Sequence, residues 1–377
     1  MIQTPGVLIT ALAFVLVIGP LVFVHEMGHY LAGRWFGVHA EAFSIGFGRE
    51  IAGWTDRRGT RWKLAWLPLG GYVRFAGDMN PASQPGPEWL ALPAEERART
   101  FQAKPVWQRA IVVAAGPIVN FVLAVLILAG FALAYGDART PAVVGEALPG
   151  TAAAAADLRA GDRVTALGGR EMDTFEDMVR YVKIRAGERV RVDYVRGDRA
   201  AAVEATIGTQ LQRDRFGNEY RVGLLGIAPT TPVVTAVGVF EAPVVAVRRT
   251  GQIVGMMVET IGQIVTGRRS VKELGGPLSI AKASGEQLTL GPDAFVFLIA
   301  LVSINIGFIN LLPVPMLDGG HLLFYAIEAV RRKPAPPQLV EWAFRGGLAA
   351  VLALMLLVTF NDLSNRGLWQ HLAGLIG

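Results

Sequence analysis

The 377-residue chain contains no cysteine, and this absence removes several kinds of chemistry. Without thiols there is no disulfide framework, no thiolate-ligated zinc site and no cysteine nucleophile. The chain also lacks a basic run interleaved with aromatic residues, so nucleic acid is not an expected partner. Hydrophobic residues make up 52% of the sequence and charged residues 18%. This composition, with a mean hydropathy of +0.40, favours a membrane protein that carries substantial aqueous parts.

The beginning of the chain is short of charge. No acidic or basic residue precedes Glu26, and no Lys or Arg precedes Arg34. A cleavable signal peptide has a basic first region, so this apolar run is interpreted as a retained membrane helix. Thr4 and Pro5 are expected to begin the helix as its cap and first residue. From there, about 20 residues at about 1.5 Å each cross the ~30 Å hydrocarbon core.

The first apolar run leads into the sequence His25-Glu26-Met27-Gly28-His29. Histidines at i and i+4 share one face of a helix and can bind one zinc ion, with the glutamate beside the metal's water. The alternative is a pair of buried histidines that only make hydrogen bonds. A carboxylate at the bilayer centre costs about 2.5–3.5 kcal/mol on insertion scales, which favours a functional site. Glu26 is then expected to act as the general base, rather than as a carboxylate that only supports the ligands.

Three further apolar stretches are candidates for membrane helices. They run from Ala110 to Tyr135, from Asp293 to Asp318, and from Gly346 to Phe360. The last is short for a span, so its start is expected to extend back toward Trp342. The second stretch contains Gly116-Pro117-Ile118-Val119-Asn120, which puts a helix breaker and an amide at membrane depth. Polar groups at that depth usually face protein or a cavity. Helix packing around Gly116 and a direct substrate role for Asn120 both remain open.

Charge sets the expected topology. Between Arg34 and Arg109 there are 11 basic and 7 acidic residues, so the segment is expected in the cytoplasm and the N-terminus outside. The first and third spans then run in the same direction, which places His25, His29 and Asp318 at similar depth. Asp318 is the natural third zinc ligand, on a segment that Pro313 and Pro315 must bend.

The remaining histidines rank lower as ligands. His321 could compete with Asp318, but two glycines separate them, and His39 and His371 lack partners in sequence. Asn310 precedes the two prolines, and its amide has two readings. It could orient a substrate backbone, or it could satisfy carbonyls that Pro313 leaves free. These residues alone do not choose between the two.

The segment from Val38 to Ala76 is rich in strand-forming residues, with a turn at Asp56-Arg57-Arg58-Gly59. A peptide bond inside a membrane helix is shielded, so a protease there must unwind its substrate. One means is to add the substrate as a strand to a sheet edge, which this segment could supply. An ordinary cytoplasmic hairpin is the equal alternative.

Four other segments are expected to lie outside the spans. Asp137 to Thr230 has the composition of one small α+β domain, which the topology places outside the cytoplasm. Val244 to Val265 is expected to form an amphipathic helix, and Pro81 to Glu96 a polar loop. A second cytoplasmic loop is expected from Arg331-Arg332-Lys333 to Arg345.

Taken together, these motifs resemble the site-2 protease family of intramembrane zinc metalloproteases, peptidase family M50, and its bacterial RseP-type members in particular. The resemblance is carried, in order along the chain, by His25-Glu26-Met27-Gly28-His29, Phe43-Ser44-Ile45-Gly46-Phe47-Gly48, Pro68-Leu69-Gly70-Gly71-Tyr72-Val73, Gly116-Pro117-Ile118-Val119-Asn120, and Asn310 through Gly319 with its Leu317-Asp318-Gly319 triplet.

The resemblance implies roles for particular residues. His25, His29 and Asp318 are implied zinc ligands, and Glu26 is the implied catalytic residue. The Val38 to Ala76 region is implied to be a membrane re-entrant β element. The residues expected to contact substrate are Asn310, Gly70, Gly71, Tyr72 and Asn120.

The resemblance also implies partners and a location. Such enzymes cleave single-span membrane proteins, including anti-sigma factors already trimmed by another protease, and some clear remnant signal peptides. The expected location is the bacterial inner membrane, with the N-terminus and a PDZ domain periplasmic and the active site toward the cytoplasm. The best-known enterobacterial members carry two tandem PDZ domains, whereas this chain has length for one. That domain could exclude bulky substrates by size, or only cap the membrane core.

The expected fold is therefore a polytopic α-helical membrane protein with about four membrane helices, a re-entrant β element and one α+β PDZ domain. The expected segments are 1–36 (first span), 37–104 (β region and loop), 105–136 (second span), 137–230 (PDZ domain), 231–290 (amphipathic linker helix), 291–333 (third span and loop) and 334–377 (fourth span and tail). Two other functions compete with the protease. One is a catalytically silent PDZ scaffold or chaperone, and the other is a transporter, which the absence of paired broken helices weakens.

Overall fold

The structure is a computed structural model that describes residues 5–77, 89, 91–213, 219–266 and 276–364. The chain divides into two compact units. The helical unit comprises Met1–Leu128, Ala246–Met256 and Val271–Gly377. The β-rich unit comprises Ala129–Val245 and Met257–Ser270. Each unit is described by itself below.

The helices, in chain order, are α1 Val7–Trp35, α2 Ala94–Ala98, α3 Val106–Tyr135, α4 Ala152–Ala155, α5 Phe175–Lys183, α6 Ala242–Val265, α7 Pro277–Leu290, α8 Pro292–Leu311, α9 Asp318–Arg331 and α10 Pro337–Ser364. The strands are β1 Ala40–Thr55, β2 Arg61–Phe75, β3 Asp137–Arg139, β4 Val144–Ala147, β5 Arg163–Leu167, β6 Arg170–Glu171, β7 Arg189–Arg196, β8 Arg199–Thr206, β9 Gly208–Arg213, β10 Glu219–Leu224, β11 Ile227–Pro229 and β12 Val233–Thr235.

Within the described residues, four helices are long and apolar enough to cross a membrane: α1, α3, α8 and residues Gln338–Thr359 of α10. Their most apolar windows have mean hydropathies of 2.9, 2.7, 2.3 and 1.8 in chain order. Only 17% of the α1 window is buried inside the protein, so most of its apolar side chains are at the surface. A helix that is apolar all round and yet exposed is suited to lipid. The four predicted spans are therefore found as helices of the required kind.

Two predicted helix limits are wrong. Helix α1 begins at Val7 after Gly6, so Pro5 precedes the helix rather than starting it. Helix α10 begins at Pro337, so Arg345 lies inside a helix and not in a loop. There it pairs with Glu341 one turn earlier, at 2.6 Å. The i,i+4 pairing lets charged residues extend the helix beyond its apolar core, which hydropathy alone does not reveal.

The prolines act in two ways. Helix α3 continues through Pro117, the helix-breaking residue noted within the second span, as α1 does through Pro20. Isolated prolines are tolerated in membrane helices because neighbouring groups satisfy the freed carbonyls. Pro313 and Pro315, by contrast, end α8 at Leu311. Each proline drives the residue before it out of the helical region, and Leu312 is accordingly extended, with φ −62° and ψ 140°. The predicted break is confirmed.

Strands β1 and β2 form the hairpin expected between Val38 and Ala76, with Asp56 accepting hydrogen bonds from the turn. The register shifts along the pair, so that Phe43 is opposite both Trp62 and Val73. Residues 40–45 thus lie between residues 61–64 and residues 71–75. In the part of the chain that the structure describes, no other strand pairs with β2, which leaves residues 71–75 at an edge.

Phe43 anchors this hairpin to α1. Its side chain is 1% exposed, and its ring lies 5.6 Å from that of Phe23 and 5.8 Å from that of Tyr30. Phe23 and Tyr30 are two helical turns apart on α1, on either side of the histidine motif. On its other face Phe43 stacks on Trp62 at 4.5 Å. The contact therefore fixes the sheet beside the histidines.

The β-rich unit contains the α+β domain expected between Asp137 and Thr230. Its largest sheet has the order β6-β5-β7-β8. Helix α5 starts with a capping box between Thr174 and Asp177. The core is a cluster of buried aliphatic and methionine side chains, which includes Val144, Val164, Leu167, Met178, Val182, Val192 and Ile207.

The 231–290 segment was expected to hold one amphipathic helix, and its described residues, 231–266 and 276–290, form two. Helix α6 is the expected one. Helix α7 was missed because the link before it, through Gly276, is rich in turn-forming residues. Pro277 occupies the first turn of α7, a position that proline favours. In the helical unit α7 packs closely on α1, since a Cβ at Gly285 would meet Thr10 Oγ1 at 2.8 Å.

Some predicted segments fall outside the described residues. The polar loop from Pro81 to Glu96 is described only at Trp89 and from Ala91 onward, where α2 begins at Ala94. His371 and the tail after Ser364 are also outside them.

We expect a pH-dependent ion pair to stabilise the β-rich unit. The Asp162 side chain is 1% exposed and accepts from Arg196 Nε at 2.7 Å and from the Arg159 backbone N–H at 2.7 Å. The hydrogen bond from Arg196 lowers the pKa of Asp162. A lowered folded-state pKa stabilises the fold above the unfolded value of about 3.9, and this contribution is lost as the pH falls through the folded pKa.

Accordingly, Asp162→Asn should lower the free energy of opening of this unit by about 1–3 kcal/mol at pH 7, because it weakens charge-assisted hydrogen bonds. Below pH 4 the difference from wild type should shrink. Amide hydrogen exchange of β5 and β7 in the full chain measures both effects. Asp193→Asn is the control, since its partner Arg191 is largely exposed. Equal protection of both variants at pH 7 would contradict the assignment.

Candidate metal centre

Three side chains converge in the helical unit as the sequence predicts. His25 Nε2 lies 3.2 Å from Asp318 Oδ2, and His29 Nε2 lies 3.5 Å from the same oxygen. The two histidine Nε2 atoms are 3.2 Å apart. His25 and His29 are one turn apart on α1, and Asp318 is the first residue of α9. Elements nearly 300 residues apart in sequence therefore bring three ligand atoms into one triangle.

The triangle has the dimensions that zinc requires. With Zn–N and Zn–O bonds of about 2.0–2.2 Å in a tetrahedron, neighbouring ligand atoms are about 3.3–3.6 Å apart. The three separations here are 3.2, 3.2 and 3.5 Å. The Oδ2 atom of Asp318 is also buried without a hydrogen bond in the protein. Two imidazoles and a carboxylate leave the fourth position open, as catalytic zinc sites do. The donor set fits zinc.

The break between α8 and α9 positions Asp318. Residues 312–317 form an irregular turn in which Met316 has φ +82°, a left-handed conformation uncommon for a residue with a side chain. Gly319 allows α9 to begin against this turn, because a Cβ there would overlap the carbonyl oxygens of Leu311 and Leu312. The glycine after the aspartate is therefore a packing requirement of the ligand's position. Arg109 on α3 then pairs with Glu328 on α9 at 2.7 Å, which holds the two helices together.

Helices α1 and α3 cross at Gly28 and Gly116, behind the histidines. A Cβ at Gly28 would approach the Ala115 carbonyl oxygen to 2.5 Å. A Cβ at Gly116 would overlap the imidazole of His29. Of the two readings left open for this part of the second span, helix packing around Gly116 is what the structure contains.

Both histidines contact α3 through their outer nitrogens. His29 Nδ1 donates to the backbone carbonyl of Val112 at 2.9 Å, which leaves Nε2 free to bind a metal. His25 Nδ1 lies 3.2 Å from Asn120 Nδ2. The sequence does not reveal the Val112 carbonyl, because a backbone acceptor leaves no signature in residue type. A signal for the contact was present in the four-residue spacing of Val112, Gly116 and Asn120, which matches that of the histidines.

The metal ligands open onto a cavity of about 780 Å³. Glu26 lines it too. The predicted substrate residues Asn310, Gly70, Gly71 and Tyr72 line it as well. The predicted residue Asn120 does not, since it is 0% exposed and lies behind His25.

His321 lines the same cavity but is not part of the cluster in which three ligand atoms lie within 4.8 Å of one another. Its ring packs against Phe344, with centroids 4.6 Å apart. The preference for Asp318 over His321 as the third ligand therefore agrees with the geometry.

The comparison with protein families decides the identity of this arrangement. The model of peptidase family M50 matches residues 13–354. The chain belongs to peptidase family M50. The matched region includes all three candidate ligands and Glu26, and it extends from α1 into α10.

Two relatives in this family match almost the whole chain. The protein named "Putative zinc metalloprotease Atu1380" of Agrobacterium fabrum is 45% identical over 361 residues, which cover 93% of this chain and 95% of that protein. Metalloprotease MmpA of Caulobacter vibrioides is 37% identical over 399 residues, which cover 98% of this chain and 99% of that protein. With the M50 match, these relatives identify the chain as a zinc metalloprotease. The family and the four apolar helices make it a multi-pass membrane protein.

Part of the chain resembles a solved PDZ structure, that of an SdrC-like protein from Listeria monocytogenes. The likeness covers 24% of this chain and 88% of that one, with 21% identity and a TM-score of 0.19. A score this low does not assign the fold, so the PDZ identity of the β-rich unit stays a prediction.

The helix crossing generates a test of the metal site. Gly116→Ala should displace the His29 ring and weaken zinc binding at least about tenfold, a loss comparable to that caused by disturbing the supports of a metal ligand. Zinc affinity of the purified protein is measured by competition with a chromophoric chelator.

Gly130→Ala is the matched control, because it lies on the same helix and a Cβ there meets nothing within 4 Å. It should bind zinc as wild type does. Unchanged zinc affinity in folded Gly116→Ala would contradict the site as described.

Proposed function

We propose that the chain is an intramembrane zinc endopeptidase that cleaves single-span membrane proteins. The observation that carries the proposal is the cluster of His25, His29 and Asp318 next to Glu26, at the inner wall of a cavity between apolar helices. Trimmed anti-sigma-like proteins are the proposed substrates, and remnant signal peptides are a second class. Membership in family M50 supports the chemistry, and the resemblance of the motifs supports the substrate class.

The proposed roles follow from the donor set. His25 and His29 bind zinc through Nε2, and Asp318 binds it through Oδ2. When bound there, zinc supplies a Lewis acid that polarises a carbonyl and lowers the pKa of water. Glu26 takes the proton from the attacking water and passes it to the amine that leaves. Glu26 lines the cavity beside the three ligands, as this role requires.

The edge of the hairpin is the proposed substrate platform. Residues 71–75 pair with residues 40–45 on one side only, and Gly71 lies against Glu26, since a Cβ there would meet Glu26 Cγ at 2.9 Å. An unwound substrate segment added to this edge would pass the catalytic carboxylate in extended form. Asn310, on the cavity wall, then contacts the substrate backbone, together with Gly70 and Tyr72.

The hairpin is also proposed to enter the membrane. Ile51, Trp54, Trp66 and Leu67 on it are all more than half exposed. A set of exposed apolar side chains of this size is suited to lipid or to its interface, where tryptophan is favoured. This supports a re-entrant element rather than an ordinary cytoplasmic hairpin.

The proposed orientation rests on charge. The excess of basic residues between Arg34 and Arg109 favours the cytoplasmic side of a bacterial inner membrane for this segment. The β-rich unit is then periplasmic. We propose that it is a single PDZ domain, and that it limits access by substrate size. Its groove of about 350 Å³, lined by residues that include Phe175, Val179 and Leu224, is the feature that supports this.

The decisive test uses a tagged single-span substrate and purified protein in detergent. Glu26→Gln should retain zinc but lose cleavage by about 10²–10⁴-fold, the usual contribution of a general base. Asp318→Ala should lose both zinc and cleavage, and removal of zinc from wild type with a chelator should reversibly stop cleavage.

Glu95→Gln is the control, since Glu95 is an exposed carboxylate of α2 that pairs with the exposed Arg99. It should behave as wild type. If every protein contained zinc but none cleaved any of several substrates, the result would instead favour the PDZ scaffold. Full cleavage by Glu26→Gln would remove the proposed catalytic role.

A further inference from the structure

We propose that Asn120 is a positioning residue that holds His25 in the tautomer able to bind zinc, and that it takes no part in substrate binding. The inference rests on the proposed function, since it assigns a support to one of the proposed zinc ligands. It replaces the sequence-based expectation that Asn120 contacts substrate.

The burial of Asn120 and its contact with His25 both fit this role. Asn120 is 0% exposed in the middle of α3, and it is not among the residues that line the cavity. Its amide lies 3.2 Å from His25 Nδ1, on the side of the ring away from Asp318. An amide at this depth is costly unless its hydrogen bonds are made, so its contact with a histidine calls for a specific explanation.

The chemistry of the ring fixes which amide atom must face it. A neutral imidazole carries one proton, so a histidine that binds metal through Nε2 carries that proton on Nδ1. The partner of Nδ1 must therefore be an acceptor. His29 already meets this requirement, because its Nδ1 donates to the Val112 carbonyl. His25 meets it only if the Asn120 oxygen, rather than its nitrogen, faces Nδ1.

The Asn120 amide is able to present that oxygen. In the structure Nδ2 faces His25, while Oδ1 is buried and has no hydrogen-bond partner. Rotation of the amide by 180° exchanges the two atoms within nearly the same volume. Since Oδ1 makes no hydrogen bond, none has to be broken on that side of the amide. The rotated amide accepts from Nδ1–H and leaves the Nε2 lone pair directed at the Asp318 oxygen.

The position of Asn120 also follows from the way the helices pair. Val112, Gly116 and Asn120 are spaced by four residues and lie along one face of α3. His29, Gly28 and His25 face them in the reverse order along α1. The glycines allow the helices to touch, and the two polar partners lie one turn on either side of that contact. The two zinc-binding histidines are thus each supported by α3, one by a backbone carbonyl and one by a side chain.

The test replaces the acceptor while keeping the size of the side chain. Asn120→Leu has no acceptor, whereas Asn120→Asp retains one. We expect Asn120→Leu to weaken zinc affinity by about 10–100-fold, the usual loss when the partner of a metal-binding histidine is removed. Asn120→Asp should stay within about threefold of wild type, or bind more tightly. Affinity is measured on purified protein by competition with a zinc chelator, and thermal unfolding of the metal-free proteins shows that each variant is folded.

Ser303→Ala is the matched control for loss of a buried polar group at the same place. Ser303 is 0% exposed and donates to the backbone carbonyl of Asn120 at 2.8 Å, so its hydrogen bond is to the main chain and not to a histidine. It should bind zinc as wild type does. If Asn120→Leu, Asn120→Asp and Ser303→Ala all lost zinc affinity equally, the losses would be explained by disturbed packing, and the proposal would be overturned.

Cleavage kinetics separate positioning from substrate binding. If Asn120 contacted substrate, Asn120→Leu would raise KM while its zinc affinity stayed that of wild type, and this result would also overturn the proposal. A wild-type protein that binds no zinc would overturn the proposed function and this inference together. A wild type that binds zinc and cleaves, with Asn120→Leu binding zinc equally well, would overturn this inference alone.

Discussion

The close crossing of α1 and α3 is the constraint on which the rest of the active site depends. Gly28 and Gly116 remove the side chains at the contact, so the backbone of α3 comes within reach of the two imidazoles on α1. The Val112 carbonyl can then fix His29. In a membrane, a histidine pair that is left without such partners has no water to satisfy it. The crossing therefore supports the histidines before any metal is considered.

The other elements complete the site from two directions. The double-proline break ends α8 and lets α9 start with Asp318, whose Oδ2 atom closes a triangle of 3.2, 3.2 and 3.5 Å with the histidines. The hairpin docks on α1 through Phe43 and brings Gly71 against Glu26. Each part of the proposed chemistry thus comes from a different region of the chain. This explains why motifs spread from residue 25 to residue 318 act at one place.

Local signals in the sequence predicted most helices and strands. Features that depend on contacts between distant parts of the chain could not be predicted. The helical spacing of His25 and His29 and the prolines after Leu311 both act within a few residues, and the structure has each feature. The pairing of residues 40–45 with residues 71–75 joins parts of the chain that are about 30 residues apart. The alternation of apolar and polar residues along each strand does not encode this pairing. The Asn120 contact spans 95 residues. Its polar character suggested function, but only the crossing of the helices shows that it faces a histidine rather than the cavity.

The central claim is that two imidazoles and one carboxylate of this chain bind a single zinc ion. Zinc-edge X-ray absorption of the purified protein tests it most directly. For a site made by His25, His29 and Asp318, we expect one zinc per chain. Its ligand atoms should be two histidine nitrogens and otherwise oxygens, all at about 2.0–2.2 Å from the metal. In His25→Ala the histidine signal should fall to one. Zinc with no imidazole ligands, or a spectrum that His25→Ala leaves unchanged, would contradict it.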